Sequence, residues 1–404
     1  MGVIIIGGGA AGMMAACTAA SSGHSVTVLE HSEKTLLKLG ITGKGRCNIT
    51  NNTDTDGLMK NIATNSRFLY GAFSRFSSSD TMDFFESIGV PLKTERGNRV
   101  FPASDKSLDV VYALRAHAKR LGVKVVKANA ERINTSEGVV VSVTANGKNY
   151  SCDSVILATG GMSYPKTGSD GSGYELARSL GHVIVEPKAS LVPLNADMEI
   201  CAPLQGLTLK NVGLTLYKDG KRIYEDFGEM LFTHFGVTGP MILSSSAHMR
   251  KDNAAYVISL DLKPALNEKT LNDRLLRDFT EFSNLDISNY MPKLMPKVFS
   301  EVFINRLGMD GGCKVNTIKR EERRAIITLL KDFRIDIESK RDISEAVITS
   351  GGVSVKEIDP CTMVSRLVDG LFFAGEIIDV DAYTGGFNLQ IAWSTGYLAG
   401  TSVL

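Results

Sequence analysis

The most constraining feature of the sequence is a glycine-rich turn close to its start. The β-branched run from Val3 to Ile6 predicts a strand that is buried on both faces. Gly7 to Gly12 then match the spacing G-x-G-x-x-G, and the small residues from Ala10 to Ala20 predict a helix. Ser25 to Glu30 predicts a second strand. This order indicates a right-handed β-α-β unit within a parallel sheet.

The turn has the features that bind a dinucleotide pyrophosphate. Gly7 allows a tight turn, Gly9 lets a phosphate approach the backbone, and Gly12 lets the helix pack closely on the strand. Glu30 ends the second strand, where an acid accepts from ribose hydroxyls and repels the 2′-phosphate of NADP. A turn without a ligand is the alternative, and this motif alone leaves NAD and FAD open. The predicted contacts in the turn are Gly7, Gly9, Ala10, Ala11 and Gly12.

Composition places the chain among ordinary globular proteins. Its 404 residues predict two or three domains, and 45 basic against 44 acidic side chains give a net charge of +1. That charge gives no indication of nucleic acid or an anionic membrane as partner. The six cysteines are scattered and only six histidines are present, so we expect no metal site. No signal peptide or membrane-spanning run is recognisable, so we expect a cytoplasmic protein with reduced thiols.

The order of the predicted elements indicates a nucleotide-binding domain with a large insertion. Helical periodicity covers residues 81–122, and Asn146-Gly147 predicts a type I′ hairpin between two strands. Residues 191–262 alternate apolar and polar side chains, which predicts a β-rich segment. Residues 263–344 have long amphipathic stretches, which predict helices. Residues 370–398 return to a buried strand and a helix, as expected if the first domain is completed at the end of the chain.

A second glycine loop, Gly43-Lys44-Gly45-Arg46-Cys47-Asn48, places two cations on a flexible backbone. Such a loop suits a diphosphate or a flavin, although an ordinary surface turn is the alternative. Here the sequence resembles the bacterial YhiN-like flavoproteins, relatives of aminoacetone oxidase and of a bile-acid 3-oxo-Δ4 reductase. The segments that carry the resemblance are 3–12, 40–51, 155–174, 231–246, 348–360 and 371–400.

This resemblance implies an FAD-binding domain with two inserted domains. We therefore predict an α/β protein with a Rossmann-like, two-dinucleotide-binding-type FAD domain. That domain is discontinuous and consists of residues 1–190 and 345–404. A β-rich insertion domain then covers 191–262, and a small helical insertion domain covers 263–344.

Further FAD contacts are implied where the strands end. Thr159-Gly160 is similar to the A-T-G segment of related flavoproteins, and Gly375-Glu376 stands where they carry a Gly-Asp pair that binds flavin-side hydroxyls. Asp379 and Asp381 compete with Glu376 for that role, and a solvated acidic loop is the alternative. The last helix would direct its N-terminus at the N1/O2 edge of the flavin. The predicted contacts outside the first turn are Glu30, Lys38, Gly43, Lys44, Gly45, Arg46, Cys47, Asn48, Ala130, Ala158, Thr159, Gly160, Gly375, Glu376, Gly386, Asn388 and Leu389.

Three side chains are candidates for the chemistry at the flavin. His234 has an imidazole that titrates near neutral pH, Tyr164 has a phenolic proton, and Arg46 can hold a carboxylate or a flavin carbonyl. Structural roles are the alternative for each of them. Since no second G-x-G-x-x-G follows a strand, we expect NAD(P)H only as a transient electron donor.

These observations predict an FAD-dependent oxidoreductase. Hydride would pass between flavin N5 and a small or mid-sized organic substrate, and NAD(P)H or O₂ would complete the cycle. Reduction of an activated C=C bond ranks slightly ahead of an amine oxidase that makes hydrogen peroxide. An RNA-modifying flavoprotein and a non-catalytic flavin-binding protein are further alternatives. The oligomeric state is left open.

Overall fold

The structure is a computed structural model, and it describes residues 2–250 and 253–403. The chain divides into two compact units, Met1–Ser190 with Asp342–Leu404, and Leu191–Arg341. The first unit is therefore discontinuous, because the second unit is inserted within it. In the described ranges no helix is long and apolar enough to cross a membrane.

The strands and helices are numbered in chain order. The strands are β1 Gly2–Ile6, β2 Ser25–Glu30, β3 Thr50–Asn51, β4 Ile62–Thr64, β5 Leu92–Glu95, β6 Arg99–Pro102, β7 Lys124–Lys127, β8 Ala130–Ser136, β9 Val139–Ala145, β10 Lys148–Ser151, β11 Ser154–Leu157, β12 Ile184–Ser190, β13 Leu194–Ala196, β14 Thr208–Lys218, β15 Lys221–Thr233, β16 Gly236–Thr238, β17 Tyr256–Asp261, β18 Phe333–Lys340, β19 Ile348–Val353, β20 Leu371–Phe373 and β21 Asp381–Ala382. The α-helices are α1 Ala10–Ser21, α2 Leu37–Gly45, α3 Thr55–Lys60, α4 Tyr70–Arg75, α5 Ser78–Ser87, α6 Ser107–Arg120, α7 Ser172–Ser179, α8 Met198–Cys201, α9 Pro240–Ser246, α10 Glu268–Glu281, α11 Ile287–Tyr290, α12 Lys297–Leu307, α13 Arg320–Lys331 and α14 Phe387–Ser402.

A five-stranded parallel sheet, in the order β20-β11-β1-β2-β7, forms the centre of the first unit. In β1, Ile6 lies opposite Leu157 of β11 on one side and Leu29 of β2 on the other. Because the paired strands all run in the same direction, their carboxyl ends share one edge. The chain leaves β1 toward β2 on one side and returns as β11 on the other. Open α/β sheets bind their ligands at such a change of direction. This confirms the predicted Rossmann-like fold class.

Helices α1 and α14 pack against each other at unusually short range. An added Cβ would lie 2.5 Å from the Ala11 carbonyl oxygen at Gly396, and 2.6 Å from the Ala15 carbonyl oxygen at Gly400. Both helices contribute to one core with the buried residues of β1 and β11. Helix α14 therefore packs directly on α1. This close crossing requires residues without side chains, Gly396 and Gly400, where the helices meet.

The second unit contains a closed antiparallel barrel in the order β13-β16-β15-β14-β17-β18. Its strands and the helices α10 to α13 share one apolar core, to which Leu214, Phe299 and Phe333 belong. Strand β18 lies in the stretch that the sequence pattern predicts as helical. Its residues alternate between buried and exposed, but they directly follow the amphipathic helix α13. An alternation of buried and exposed side chains over only eight residues is hard to distinguish from a helical pattern when it directly follows a long helix.

The helical period predicted for residues 81–122 is interrupted in the structure. Helix α5 ends at Ser87, the hairpin β5–β6 follows, and α6 begins at Ser107. Pro91 and Pro102 lack the N–H that a helix interior needs, and Gly97 has a φ of +74° at the hairpin turn. The predicted hairpin at Asn146-Gly147 is confirmed, since both residues have the positive φ of a type I′ turn, 48° and 69°.

The close crossing of α1 and α14 gives a stability prediction. Gly396→Ala should lower the free energy of unfolding by about 1–3 kcal/mol, because the added methyl group overpacks the contact with Ala11. Gly40→Ala is the matched control, since Gly40 is in helix α2 and an added Cβ would meet no atom within 4 Å. Thermal unfolding of the FAD-saturated variants measures both. A Gly396→Ala midpoint at or above that of Gly40→Ala would contradict the packing argument.

Candidate FAD site

The glycine turn after β1 leaves open space beside Gly9 but none beside Gly12. Gly7 N–H donates to the Leu29 carbonyl at 2.9 Å, and Leu36 N–H donates to the Gly8 carbonyl at 2.8 Å. A Cβ on Gly12 would lie 2.0 Å from the Gly7 carbonyl oxygen, whereas a Cβ on Gly9 would meet no atom within 4 Å. Helix α1 begins at Ala10, followed by Ala11, without a side-chain cap or an acidic residue in its first turn. The helix N-terminus is thus available to an anion.

Glu30 is held at the rim of this turn by two backbone groups. Its Oε2 accepts from Gly8 N–H and its Oε1 from Ser32 N–H, both at 2.7 Å. Each carboxylate oxygen keeps a second acceptor position. The carboxylate is therefore fixed at the end of β2, where the sequence predicts a ribose contact.

The second glycine loop has an unusual backbone. Gly43, Lys44, Gly45 and Cys47 all have positive φ values, of 57°, 58°, 84° and 60°. Lys44 and Gly45 are exposed, whereas Cys47 is fully buried and burial raises the pKa of its thiol to about 12. The loop is therefore part of a kinked end of α2 rather than an ordinary surface turn.

Arg46 attaches this loop to the hairpin β5–β6. Its Nη2 lies 2.5 Å from Glu95 Oε1, its Nε lies 2.8 Å from Asp105 Oδ1, and its guanidinium lies 4.1 Å from the centre of the Phe101 ring. The hydrogen bond from Arg46 lowers the pKa of Glu95, and hydrogen bonds from Lys93 and then Arg46 lower the pKa of Asp105. The guanidinium thus contacts two carboxylates of the chain, contacts that the sequence pattern did not indicate. Its proposed contact with substrate or flavin stays a prediction.

Three buried side-chain atoms among the described residues have no hydrogen-bond partner: Asn48 Oδ1, Thr159 Oγ1 and Tyr174 OH. Asn48 ends the second glycine loop, and Thr159 follows β11 at the edge where the strands end. Leaving a buried polar atom unsatisfied costs about 1–3 kcal/mol. A polar ligand at this edge would remove that cost, and the open space at Gly9 would admit its phosphates. The residues present therefore fit FAD.

Other predicted contacts meet at the same edge of the sheet. Ala158 and Gly160 surround Thr159 after β11, whereas Ala130 begins β8, which belongs to a separate three-stranded sheet. Gly375 and Glu376 follow β20, and Lys38 Nζ from α2 lies 2.7 Å from Glu376 Oε2. The structure thus brings Lys38 and Glu376 together although 338 positions separate them.

The start of α14 is also without a side-chain cap. Gly386 has a φ of +99° before the helix, and the first turn contains no acidic residue. Asn388 turns its side chain back, so that Nδ2 donates to the Ala382 carbonyl at 2.7 Å and Oδ1 accepts from Ala382 N–H at 2.9 Å. Leu389 is half-buried beside it. This geometry suits the predicted interaction of the helix N-terminus with the flavin.

The catalytic candidates do not all belong to the same unit of the chain. Tyr164 lies in the first unit, is half-buried and has a φ of +53°, a conformation that a tyrosine rarely adopts. His234 is exposed on the turn between β15 and β16 in the second unit, where its ring packs edge-on against Phe235 at 5.1 Å. Their roles at the flavin stay predictions.

The C-terminal loop also contains Asp379 and Asp381, which the sequence analysis names as alternatives to Glu376. Asp381 accepts from Ser190 Oγ at 2.7 Å and from Ser350 Oγ at 3.0 Å, so both of its oxygens already have partners. Burial raises the pKa of Asp379 against the hydrogen bond from Asn65, and repulsion from Asp381 raises it further. Burial also raises the pKa of Tyr174. Sequence reasoning missed Tyr174, for which its position directly after Gly173, at the end of a glycine-rich stretch, was the only signal.

The parallel sheet, the dinucleotide turn after β1 and the acid at the end of β2 define a Rossmann-type dinucleotide-binding protein. The family described as "HI0933-like protein Rossmann domain" matches residues 1–402, so the chain belongs to this family. Together these findings make the protein an FAD-dependent oxidoreductase.

Two curated relatives and one solved structure show how far the similarity extends. The "3-dehydro-bile acid delta(4,6)-reductase" of Clostridium scindens is 31% identical and covers 98% of this chain and 97% of its own. The "Ribosomal RNA dihydrouridine synthase" of Haemophilus influenzae is 29% identical over 99% of this chain and 98% of its own. A 3-ketosteroid-Δ4-(5α)-dehydrogenase from Rhodococcus jostii shares the fold, with a TM-score of 0.53, 16% identity, and coverage of 99% and 96%.

The open space at Gly9 gives a test of the phosphate position. Gly9→Ala should leave the thermal stability of the flavin-free protein unchanged, because its φ of −78° suits alanine and the methyl group meets no atom. It should weaken FAD binding by about tenfold or more, since the methyl group occupies the space where the backbone approaches a phosphate. Titration of flavin-free protein with FAD measures this. Equal affinity for wild type and variant would contradict the placement.

The burial of Cys47 predicts its reactivity. At pH 8 a thiol reagent should label the exposed Cys361 quickly, whereas Cys47 should react only after unfolding, because its thiol is buried and its pKa is raised to about 12. Peptide mapping by mass spectrometry measures both sites in one sample. Labelling of Cys47 at a rate close to that of Cys361 would show that the loop opens.

Proposed function

We propose that the protein reduces an activated C=C bond in an organic substrate, with NAD(P)H as the transient source of electrons. The observation that carries the proposal is the similarity, across almost the whole chain, to two relatives named for such products. One is named a Δ4,6-reductase, and the other forms dihydrouridine, which differs from uridine by reduction of a ring C=C bond. The shared chemistry is therefore hydride addition, whereas the substrates differ widely.

FAD, when bound, supplies the hydride at its N5 position. The residues of the chain bind and orient it. The N-terminus of α1 and the open backbone at Gly9 hold the phosphates, and Glu30 accepts from a ribose hydroxyl. The uncapped N-terminus of α14 stabilises negative charge on the flavin's polar edge.

Reduction of a C=C bond also needs a proton for the second carbon. Tyr164 is the candidate that we place first, because it follows Ser163, whose hydroxyl contacts Glu376 at 2.9 Å. Its positive φ also indicates a backbone that the surrounding structure holds in place. His234 is the second candidate, with an exposed imidazole.

An RNA substrate is the second candidate function. It is favoured by the 29% identity to the ribosomal RNA dihydrouridine synthase. The second unit has exposed basic side chains that could contact phosphates, at Lys293, Lys297, Lys314, Lys319 and Arg320. The net charge of +1 gives this alternative little electrostatic support.

The proposal predicts a separation of two half-reactions. Under anaerobic conditions NADH or NADPH should bleach the bound flavin, and a 3-oxo-Δ4 steroid or a uridine-containing rRNA transcript should restore its absorbance. Tyr164→Phe should slow substrate reduction by about 10²-fold and leave flavin reduction unchanged, since only the former needs the donated proton. Stopped-flow absorbance measures both steps.

Tyr112→Phe is the matched control, because Tyr112 is an exposed tyrosine on α6. Flavin that stays oxidised with both nicotinamides, but yields hydrogen peroxide with an amine, would identify an amine oxidase instead. Reoxidation by the transcript and not by the steroid would favour the RNA substrate.

A further inference from the structure

Lys38 and Glu376 belong to a polar cluster to which four separate segments contribute. Lys38 is in α2, Ser163 follows β11, Thr349 is in β19, and Glu376 follows β20. Lys38 Nζ donates to Ser163 Oγ at 2.6 Å and to Glu376 Oε2 at 2.7 Å. The side chains of the ion pair are only 22% and 16% exposed, so water screens this pair less than a surface pair.

Hydrogen bonds from Thr349 and Ser163 fix the orientation of the Glu376 carboxylate. Its Oε1 accepts from Thr349 N–H at 2.8 Å and from Ser163 Oγ at 2.9 Å. Thr349 Oγ1 in turn accepts from Met162 N–H at 2.8 Å and Ser163 N–H at 3.1 Å. The backbone N–H of Thr349 therefore fixes the Glu376 carboxylate, and the backbone N–H groups of Met162 and Ser163 fix the Thr349 hydroxyl.

The hydrogen-bonding capacity of the ion pair is not exhausted by these contacts. Each carboxylate oxygen can accept two hydrogen bonds, and an ammonium group has three protons. Oε1 of Glu376 has two donors, but Oε2 has only Lys38 among the described residues. Lys38 uses two protons, which leaves one. An acceptor and a donor therefore remain on atoms that are 2.7 Å apart.

We propose that Lys38 is a positioning residue, and that Lys38 and Glu376 together bind one hydroxyl group. One hydroxyl of the cofactor's polyol chain donates to Glu376 Oε2 and accepts from Lys38 Nζ. The acid alone would accept from a hydroxyl in many orientations, whereas the pair fixes both the proton and the lone pair of that hydroxyl. The same ammonium supplies the counter-charge that a partly buried carboxylate needs.

The test uses cofactor analogues in place of catalysis. Flavin-free protein is titrated with FAD and with 2′-, 3′- and 4′-deoxy FAD, each of which lacks one ribityl hydroxyl, and flavin fluorescence reports binding. Wild type should bind one of the three analogues about tenfold more weakly than FAD, because two charge-assisted hydrogen bonds are lost. Lys38→Met should bind FAD about tenfold more weakly and should distinguish that analogue less strongly than wild type, because Glu376 alone still accepts from the hydroxyl.

Lys60→Met is the matched control, since Lys60 is exposed in the last turn of α3 and should change neither value. Equal binding of FAD and all three analogues by wild type would overturn the proposal, and this arm needs no variant to fold. Lys38→Met that distinguishes the analogue as strongly as wild type does would overturn the role of the lysine. Because no substrate is present, these results are independent of whether the protein reduces a C=C bond.

Discussion

The parallel pairing of β1 with β2 and β11 is the constraint on which the rest of the first unit depends. Its register places Ile6, Leu29 and Leu157 side by side, so that the turns that follow these strands emerge at one edge. The dinucleotide turn, the Glu30 carboxylate and the unsatisfied Thr159 hydroxyl are neighbours for this reason. A slip of one residue between β1 and β11 would turn buried side chains to the opposite face and separate these groups.

Local sequence signals predicted the features that local physics determines. The turn after β1 needs glycine at fixed spacing, and the hairpin at Asn146-Gly147 needs two positive φ values, so both were recognisable from the sequence. The pairing of Lys38 with Glu376 was not predictable, because neither residue's surroundings in the sequence indicate the other. The same holds for Arg46, whose two carboxylate partners come from the hairpin β5–β6 and from the turn after it, in a stretch that looked helical. Contacts between distant segments depend on the packed fold and leave no periodic pattern.

The two relatives are named for very different substrates, a bile acid and ribosomal RNA. A residue predicted to contact the cofactor, such as Glu30 or Glu376, would serve either reaction, because it would touch the cofactor and not the substrate. Differences in substrate must therefore arise in residues outside the glycine turns. The proposed reduction and the proposed role of Lys38 are separate claims for this reason, and one can fail without the other.

The interrupted layout of the first unit has a consequence for synthesis on the ribosome. Strand β20 and helix α14 are made after the whole inserted unit, yet β20 pairs with β11, and α14 packs against α1. Until Leu371 to Phe373 leave the exit tunnel, the buried strand β11 has an unpaired edge, which invites association with other chains. A truncated chain would also lack Glu376 and the start of α14. Since both are predicted to contact FAD, we expect such a chain to bind the cofactor poorly.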